Sequence, residues 1–461
     1  MRRAGLILAF LLCGCAETPP PALPQGDVPA AFDQSAPSGA TGGATADWWK
    51  SFGNAELTSL MGKAQSGNLD IAQAEARLMQ ADARARQAGA ALMPSVALNG
   101  NVNSFYGRNG GTSSSETDFG LGLGASYEVD FWGKIRAAAR SADALRQASQ
   151  ADRATVALTA GAAIANTYFQ LLSLRERLSV ARANLQSSQA ILGVVQRRVD
   201  AGYSPSSDLT QERANLAAEQ AAIAPLEQQE LEAKNALAIL TGRAPEGFAV
   251  QGENLDGIAA PAPAPGLPST LLTRRPDLAT AESNLAAAHA DVAAARAAML
   301  PDITLTAAGG LQNPFINAAV NAIPGTGLAL SAGAGLVQNV FDGGKLQAKT
   351  DETLAREQEL LAAYRAAVFN AFGDVENALG SLGHLRAQEA ALADQVTQQE
   401  GVLRAAQRKY TAGAADFLVV TDAERSLYAA RDQLSDIRRA RLTASVALYR
   451  ALGGGWNNPP L

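Results

Sequence analysis

Four stretches of the chain alternate apolar residues with small or polar ones at a period of two. The cleanest is Phe119, Leu121, Leu123, Ala125, Tyr127 and Val129, interleaved with Gly120, Gly122, Gly124, Ser126 and Glu128. Leu328, Leu330, Ala332, Ala334 and Leu336 repeat the pattern, and so do Ile303, Leu305 and Ala307. Such alternation gives a strand one apolar face and one small or polar face. Strands are predicted over about 95–105, 118–129, 302–311 and 327–340, in two pairs flanking "YGRNGGTSSSE" and "QNPFINAAVNAIPG". Ahead of each pair an Ala-rich helical pattern, 69–92 or 278–300, leads to Pro94 or Pro301. Proline cannot donate within a helix and pushes its predecessor toward extended geometry, so each one marks a helix-to-strand junction.

Beyond each strand pair, helical patterns over 134–199 and 345–410 turn into return helices over 207–241 and 418–452. At ~1.5 Å per residue the longer ones would each reach ~100 Å if unbroken, more than a globular domain needs. Leu174, Leu178, Ala181, Leu185, Ser188, Leu192 and Val195 keep the mixed three- and four-residue spacing of a coiled-coil seam. Gly202 and Gly413 follow helix ends, and Ser206 and Ser207 sit at a helix start. Pro225 is expected to kink or restart the first return helix, and the second has no proline there.

The same order of elements is written twice. "NLDIAQAEARL" (68–78) matches "RPDLATAESNL" (275–285), with Asp70/Asp277, Glu75/Glu282 and Leu78/Leu285 in register. "FWGKIRA" from Phe131 echoes "DGGKLQA" from Asp342. "VQRRVDAGYSPSSDLTQERANL" (195–216) aligns without gaps to "AQRKYTAGAADFLVVTDAERSL" (406–427). Copies of roughly 200 residues are too long for solenoid units and read as a duplicated half-molecule. The first repeat is placed at 47–245 and the second at 271–455, with a Pro-rich linker over 246–270 and a tail over 456–461.

The N-terminus adds an address. Residues 1–14 read as a signal peptide, with Arg2 and Arg3 before the apolar run Ala4 to Leu12. That run is too short to span a bilayer, which takes about 20 apolar residues. It ends in "LCGC", which resembles a bacterial lipobox, with cleavage before Cys15 and acylation of its thiol. An ordinary signal peptide with incidental cysteines is the alternative. With Cys13 removed, the mature chain would hold no disulfide, Cys metal site or Cys nucleophile. By resemblance to lipoprotein sorting rules, Ala16 favours the outer membrane of a Gram-negative cell. Residues 15–46 read as a lipid-anchored tether, and "DWWKSFGNAEL" as the point where packed structure restarts.

Composition excludes more than it assigns. The net charge is -6 with basic residues scattered among acids, so no stripe follows a phosphate backbone and nucleic acid is not an expected partner. Hydrophobic content is 47% but aromatics only 5%; alanine makes up the difference, which suits close-packed helices. The only histidines, His289 and His384, fall in helical runs, and "GLGLG" at Gly120 lacks the spacing of a dinucleotide fingerprint. No enzyme, metal site or cofactor is expected.

Ten-residue segments with one apolar face are the signature of transmembrane β-strands. Lipid forces every backbone polar group to pair, so a membrane sheet must close. Four strands cannot close alone, since bacterial barrels begin at about eight. A dimer would supply eight strands and a trimer twelve; a barrel of about eight is filled by side chains, so a conduit requires the trimer. The expected fold is mixed membrane α/β: two strand pairs per subunit in a shared barrel, continued by a periplasmic coiled-coil helical tube. Tyr127, Phe131, Trp132 and Phe341 cluster where strands end, which suits a membrane interface or, equally, strand–helix hinge packing.

Together "LCGC", "DWWKSFGNAEL", "NLDIAQAEARLMQA", "RRPDLATAESNLAAAHADVAAARAAMLPDITL", "VFDGGK" and "KYTAGAADFLVVTDAERSLY" resemble the TolC-like outer-membrane factor family in its lipoprotein branch, OprM- and NodT-like. The resemblance covers nearly all the mature chain, in order and duplicated. It implies a homotrimer with a 12-stranded outer-membrane barrel and a periplasmic helical tunnel. Members are exit ducts of tripartite pumps. They dock by their hairpin tips to a periplasmic adaptor, which joins an inner-membrane transporter, in this branch usually a proton-driven RND pump for drugs or other small toxic molecules.

The resemblance also implies site residues. Asp422 falls where an aspartate ring constricts the closed channel, and Val419 where some members carry a second acid. Tyr410 matches a position that tethers the inner helices; the family's basic tether falls at Ala415, so no ion-pair lock is expected there. Adaptor docking maps to Gly202, Tyr203 and Ser204 and to Gly413, Ala414 and Ala415. From the residues alone, Asp422 reads rather as a solvated helix-face acid, and Gly202 and Gly413 as helix C-caps, a reading that can hold together with docking. Two rival readings remain at this stage. One is the outer-membrane duct of a type I protein secretion system. The other is a lipid-anchored coiled-coil structural or adaptor protein with no pore.

Overall fold

The computed structural model describes residues 28–34, 43–109, 111–312 and 327–456. The signal peptide, Cys15, most of the tether and the 313–326 connection lie outside the described residues. A 3-10 turn, Trp48–Phe52, precedes α1 (Ala55–Gly67) and α2 (Leu69–Ala90). Then come β1 (Ser95–Asn109), β2 (Thr112–Glu128), α3 (Lys134–Asp200) and α4 (Ser206–Leu240). After α5 (Pro268–Arg274) the order recurs as α6 (Pro276–Ala297), β3 (Asp302–Gln312), β4 (Gly327–Val337), α7 (Lys345–Thr411) and α8 (Phe417–Ala451). Duplication shows in the lengths: α2 and α6 have 22 residues each, α3 and α7 have 67, α4 and α8 have 35. The chain divides into two compact units, each drawing on both repeats.

One unit takes residues 77–150 and 280–365 and contains the sheet. Its order is β1-β2-β3-β4, antiparallel throughout, so β2 and β3 join the two repeats. The register puts the apolar positions of all four strands on one face: Leu98 opposes Leu123, Leu121 opposes Leu311, and Leu311 opposes Leu328. Val96, Leu98, Leu121, Leu123, Leu311, Leu328 and Leu330 are all largely exposed there. The other face carries Asn99, Gly122, Ser126, Thr304, Thr306 and Ser331. Gly122 and Gly310 are paired because the backbones meet: a Cβ on Gly310 would stand 2.6 Å from the Gly122 Cα. Among the described residues no helix is long and apolar enough to cross a membrane; the broad apolar surface belongs to the sheet.

Three expectations need correction here. The ladder of β1 and β2 continues to Asn109–Thr112, so most of "YGRNGGTSSSE" is strand and not loop. Backbone pairing carries a serine-rich strand that has no apolar alternation, and Gly-Gly suits a two-residue hairpin turn. Strand β4 ends at Val337, short of 340. Helices α2 and α6 stop at Ala90 and Ala297 and the chain unwinds through short turns before Pro94 and Pro301, rather than running up to them.

The junctions are braced by polar groups. Trp132 Nε1 donates to the Pro301 carbonyl at 2.9 Å, and Lys134 Nζ bridges Glu128 and Asp302 at 2.6 Å each. Trp132 is therefore a hinge-packing residue, with Phe131 edge-on to it at 4.7 Å. Phe131 itself is exposed, as is Phe341 at 91%, and Tyr127 is half-buried. His289 Nδ1 lies 2.6 Å from Glu357, a helix–helix polar contact.

The second unit holds residues 24–76, 151–279 and 366–461. "DWWKSF" does restart packed structure: Trp48 stacks on Tyr449 at 5.6 Å, and Phe52 lies against Phe169 at 5.3 Å in the main apolar core. The "RRPDL" motif has a structural task here. Arg275, nearly buried, donates to Asp277 at 2.7 Å, to Asp374 at 3.1 Å and to the Ala451 carbonyl at 3.2 Å. Pro225 does not restart α4, which runs unbroken from Ser206 to Leu240. Ala221 and Pro225 are solvent-exposed, so water can satisfy the carbonyl that the proline leaves without a donor.

Candidate functional site

The turns between α3 and α4 and between α7 and α8 share one backbone. Gly202 has φ +78° and Gly413 φ +73°, a left-handed conformation that disfavours any residue with a Cβ. Tyr203 N–H donates to the Arg198 carbonyl and Gly202 N–H to that of Val199; Ala414 to Lys409 and Gly413 to Tyr410 repeat this. These paired bonds satisfy carbonyls that a helix end leaves free. The helix starts are not as expected: Pro205 and Asp416 occupy the N-cap positions with no side-chain cap, and Ser206 is already helical.

Side chains at the two turns differ. Tyr203 is 79% exposed, with Gly202 and Pro205 exposed and Ser204 half-buried beside it. In the second turn Gly413 and Ala414 are exposed and Ala415 is half-buried. Tyr410 is 5% exposed, in an apolar cluster with Val195, Ala406, Phe417, Val420 and Ala423. Its ring lies 5.3 Å from Phe417 and 4.5 Å beneath the Arg198 guanidinium. Arg198 Nη1 also donates to the Tyr410 carbonyl at 2.8 Å, so one cation from the first turn grips the second both by face and by backbone. The Tyr410 hydroxyl is buried without a partner.

Asp422 and Val419 lie one turn apart on α8, both exposed, with Leu418 exposed beside Val419. Among the described residues Asp422 has no ion pair, and the small Ala415 offers none. The structure thus brings Tyr410, Val419 and Asp422 onto the end of one helix hairpin, an apolar anchor below an exposed acid. Sequence reasoning missed Arg198, which in the repeat alignment matches Lys409 and looked like an ordinary helix-end cation. It also missed Phe417, whose apolar character next to the turn was the available signal.

Comparison with known proteins follows the same duplication. The sequence model of a family described as "Outer membrane efflux protein" matches residues 60–243 and 267–454. The chain is 39% identical over 479 residues to "Pyoverdine export outer membrane protein OpmQ" of Pseudomonas aeruginosa, covering 99% of this chain and 98% of that one. It is 30% identical to "Cation efflux system protein CusC" of Escherichia coli O6:H1, covering 97% of each. The solved structure of the outer-membrane channel OprN matches with a TM-score of 0.87 at 28% identity, covering 96% of this chain and 100% of that one.

Proposed function

The chain belongs to the outer membrane efflux protein family, and from that membership we propose that it is the outer-membrane exit duct of a tripartite efflux pump. The single observation that carries the reading is the sheet: four strands with an exposed apolar face and two unpaired edges, β1 and β4. Lipid would leave those edges unsatisfied, so neighbouring subunits must supply the partners, and a trimer closes a conducting barrel of twelve. Its assigned role is transport, not catalysis. Phe131 and Phe341, exposed at the strand ends, would sit at the membrane interface, and Cys15 would carry the lipid anchor.

Three copies of Asp422 and Val419 around the axis would form an acidic and an apolar constriction, held shut by the Arg198–Tyr410 contact. Crowded like charges repel, so such a ring needs the neighbouring anchor to stay closed. The turn residues Gly202, Tyr203 and Ser204 with Gly413, Ala414 and Ala415, exposed except for the half-buried Ser204 and Ala415, would meet a periplasmic adaptor, which links the duct to an inner-membrane transporter of the RND type. The relatives' names, pyoverdine export and cation efflux, refer to solutes and not to protein cargo, which favours small-molecule efflux over a protein secretion duct. The test is deletion of the gene followed by a toxicity panel and an inventory of secreted proteins. Hypersensitivity to small molecules with secretion intact is expected; unchanged tolerance with one secreted protein missing supports the secretion duct instead.

A further inference from the structure

A cavity of about 570 Å³ lies among α3, α4 and α8, within the helical unit. Glu212, Glu219 and Glu424 line it, and a fourth carboxylate, Asp422, is exposed at its rim. Glu212 on α4 is 1% exposed; its Oε2 accepts weakly from Asn215 at 3.4 Å and its Oε1 is buried with no partner. Glu219, also on α4, accepts at Oε1 from Asn184 (2.7 Å) and Ser188 (2.9 Å), leaving a buried Oε2 with no partner. Glu424 on α8 is 5% exposed and accepts only from Ser187, at 3.3 Å. Burial, reinforced by the neighbouring acids, lifts Glu212 and Glu424 to about 7: Glu219 acts on Glu212, and Glu212 and Glu219 act on Glu424.

Among the described residues no cation pairs with Glu212, Glu219 or Glu424, although Arg425 stands exposed at the rim. Helix α3 contributes only Asn184, Ser187 and Ser188, while its Arg182 is committed to Glu227 at 2.8 Å and its Arg177 to Asp432 at 2.6 Å. Helix α8 adds the Tyr428 side chain and, exposed at the rim, Asp422 and Arg425. The remaining walls are Ala181, Ala218, Ala222 and Ala429, with Thr421 and Ser426 among them. The buried Oε1 of Glu212 and Oε2 of Glu219 are thus acceptors left without donors, in a cavity whose size falls within the ~300–1,000 Å³ of small-molecule sites. Among the described residues no three acidic, histidine or cysteine side chains converge closely enough to hold one metal ion, so the charge is spread along the cavity. The complement of a spread of carboxylates between aliphatic walls is a flexible chain of methylenes carrying ammonium groups.

We propose that this cavity is a binding site for small aliphatic polyamines, with ammonium groups on Glu212, Glu219 and Glu424 and methylenes against the alanines. The site does not depend on gating by Asp422 and would survive the failure of that role. An ammonium favours the charged carboxylates, so binding expels protons and tightens as pH rises through the range in which Glu212 and Glu424 titrate.

The test is calorimetric titration of spermidine into the detergent-solubilised full-length protein. Saturable binding is expected, about tenfold weaker at about pH 6 than at about pH 8, with heats that depend on buffer ionisation because protons are released. Glu212→Gln and Glu424→Gln, isosteric changes that relieve charge, should each weaken it about tenfold or more. Glu253→Gln, at an exposed acid outside the cavity, should leave it unchanged. Absence of saturable heat, equal affinity in Glu424→Gln, or equal displacement by magnesium chloride would overturn the proposal. Should Glu212→Gln fail to assemble, Glu424→Gln and the pH comparison decide.

Discussion

At the turn between α3 and α4, Tyr203 stands 79% exposed, whereas at the matching turn between α7 and α8, Tyr410 is 5% exposed beneath Arg198. Both turns close on a left-handed glycine and the same pair of backbone bonds. Duplication therefore kept the backbone solution and released the side chains. The first turn presents its aromatic ring outward, where a partner can meet it. The second buries its ring to hold helices together, and places Val419 and Asp422 above that anchor. A backbone motif satisfied by its own hydrogen bonds leaves side chains free to diverge, because none is needed to make the turn.

Tyr410→Ala should break this contrast most. Removing a buried aromatic ring costs about 3–5 kcal/mol, readable as lost hydrogen-exchange protection around α7 and α8. Tyr203→Ala, at an exposed site, should stay within about 0.5 kcal/mol while weakening co-purification with an adaptor. If the two cost the same, the division of labour is wrong. Arg198→Ala should cost about 1.5–3 kcal/mol, for a charged hydrogen bond to the Tyr410 carbonyl. Lys409→Ala, its exposed counterpart, should cost almost nothing.

Gly202→Ala and Gly413→Ala should each cost about 1–2 kcal/mol, and equally, since both force a Cβ into left-handed geometry. Unequal costs would mean that the turns differ in backbone as well as in side chains. A further effect is on pH dependence. Glu212 and Glu424 titrate near 7 when folded, against an ordinary 4.5, so the folded chain binds more protons than the unfolded one in that window. Their contribution therefore makes stability fall as pH rises from about 4.5 to about 7, and the Glu212→Gln/Glu424→Gln double variant should flatten that slope.

Much of this was legible in the chain. Period-two alternation located all four strands and set Leu121 with Leu123, and Leu328 with Leu330, on one face of their own strands, because side-chain direction in a strand follows from position alone. Gly202 and Gly413 were legible because few other residues tolerate their geometry. The length of the β1–β2 ladder was not: Ser113, Ser114 and Ser115 pair through backbone, which leaves no side-chain pattern. Nor were the acids of the cavity. On a helix, Glu212 and Glu424 look like solvated surface residues until α3, α4 and α8 pack around them. That α4 continues through Pro225 was not legible either, since the proline's cost depends on whether the freed carbonyl meets water.

The central claim, a gated outer-membrane duct, is tested most directly by single-channel conductance of the purified full-length protein in a planar lipid bilayer. The account predicts small openings for the native chain and larger ones for Asp422→Ala, as the constriction loses its carboxylates. Absence of channels in both the native chain and the variant would contradict it.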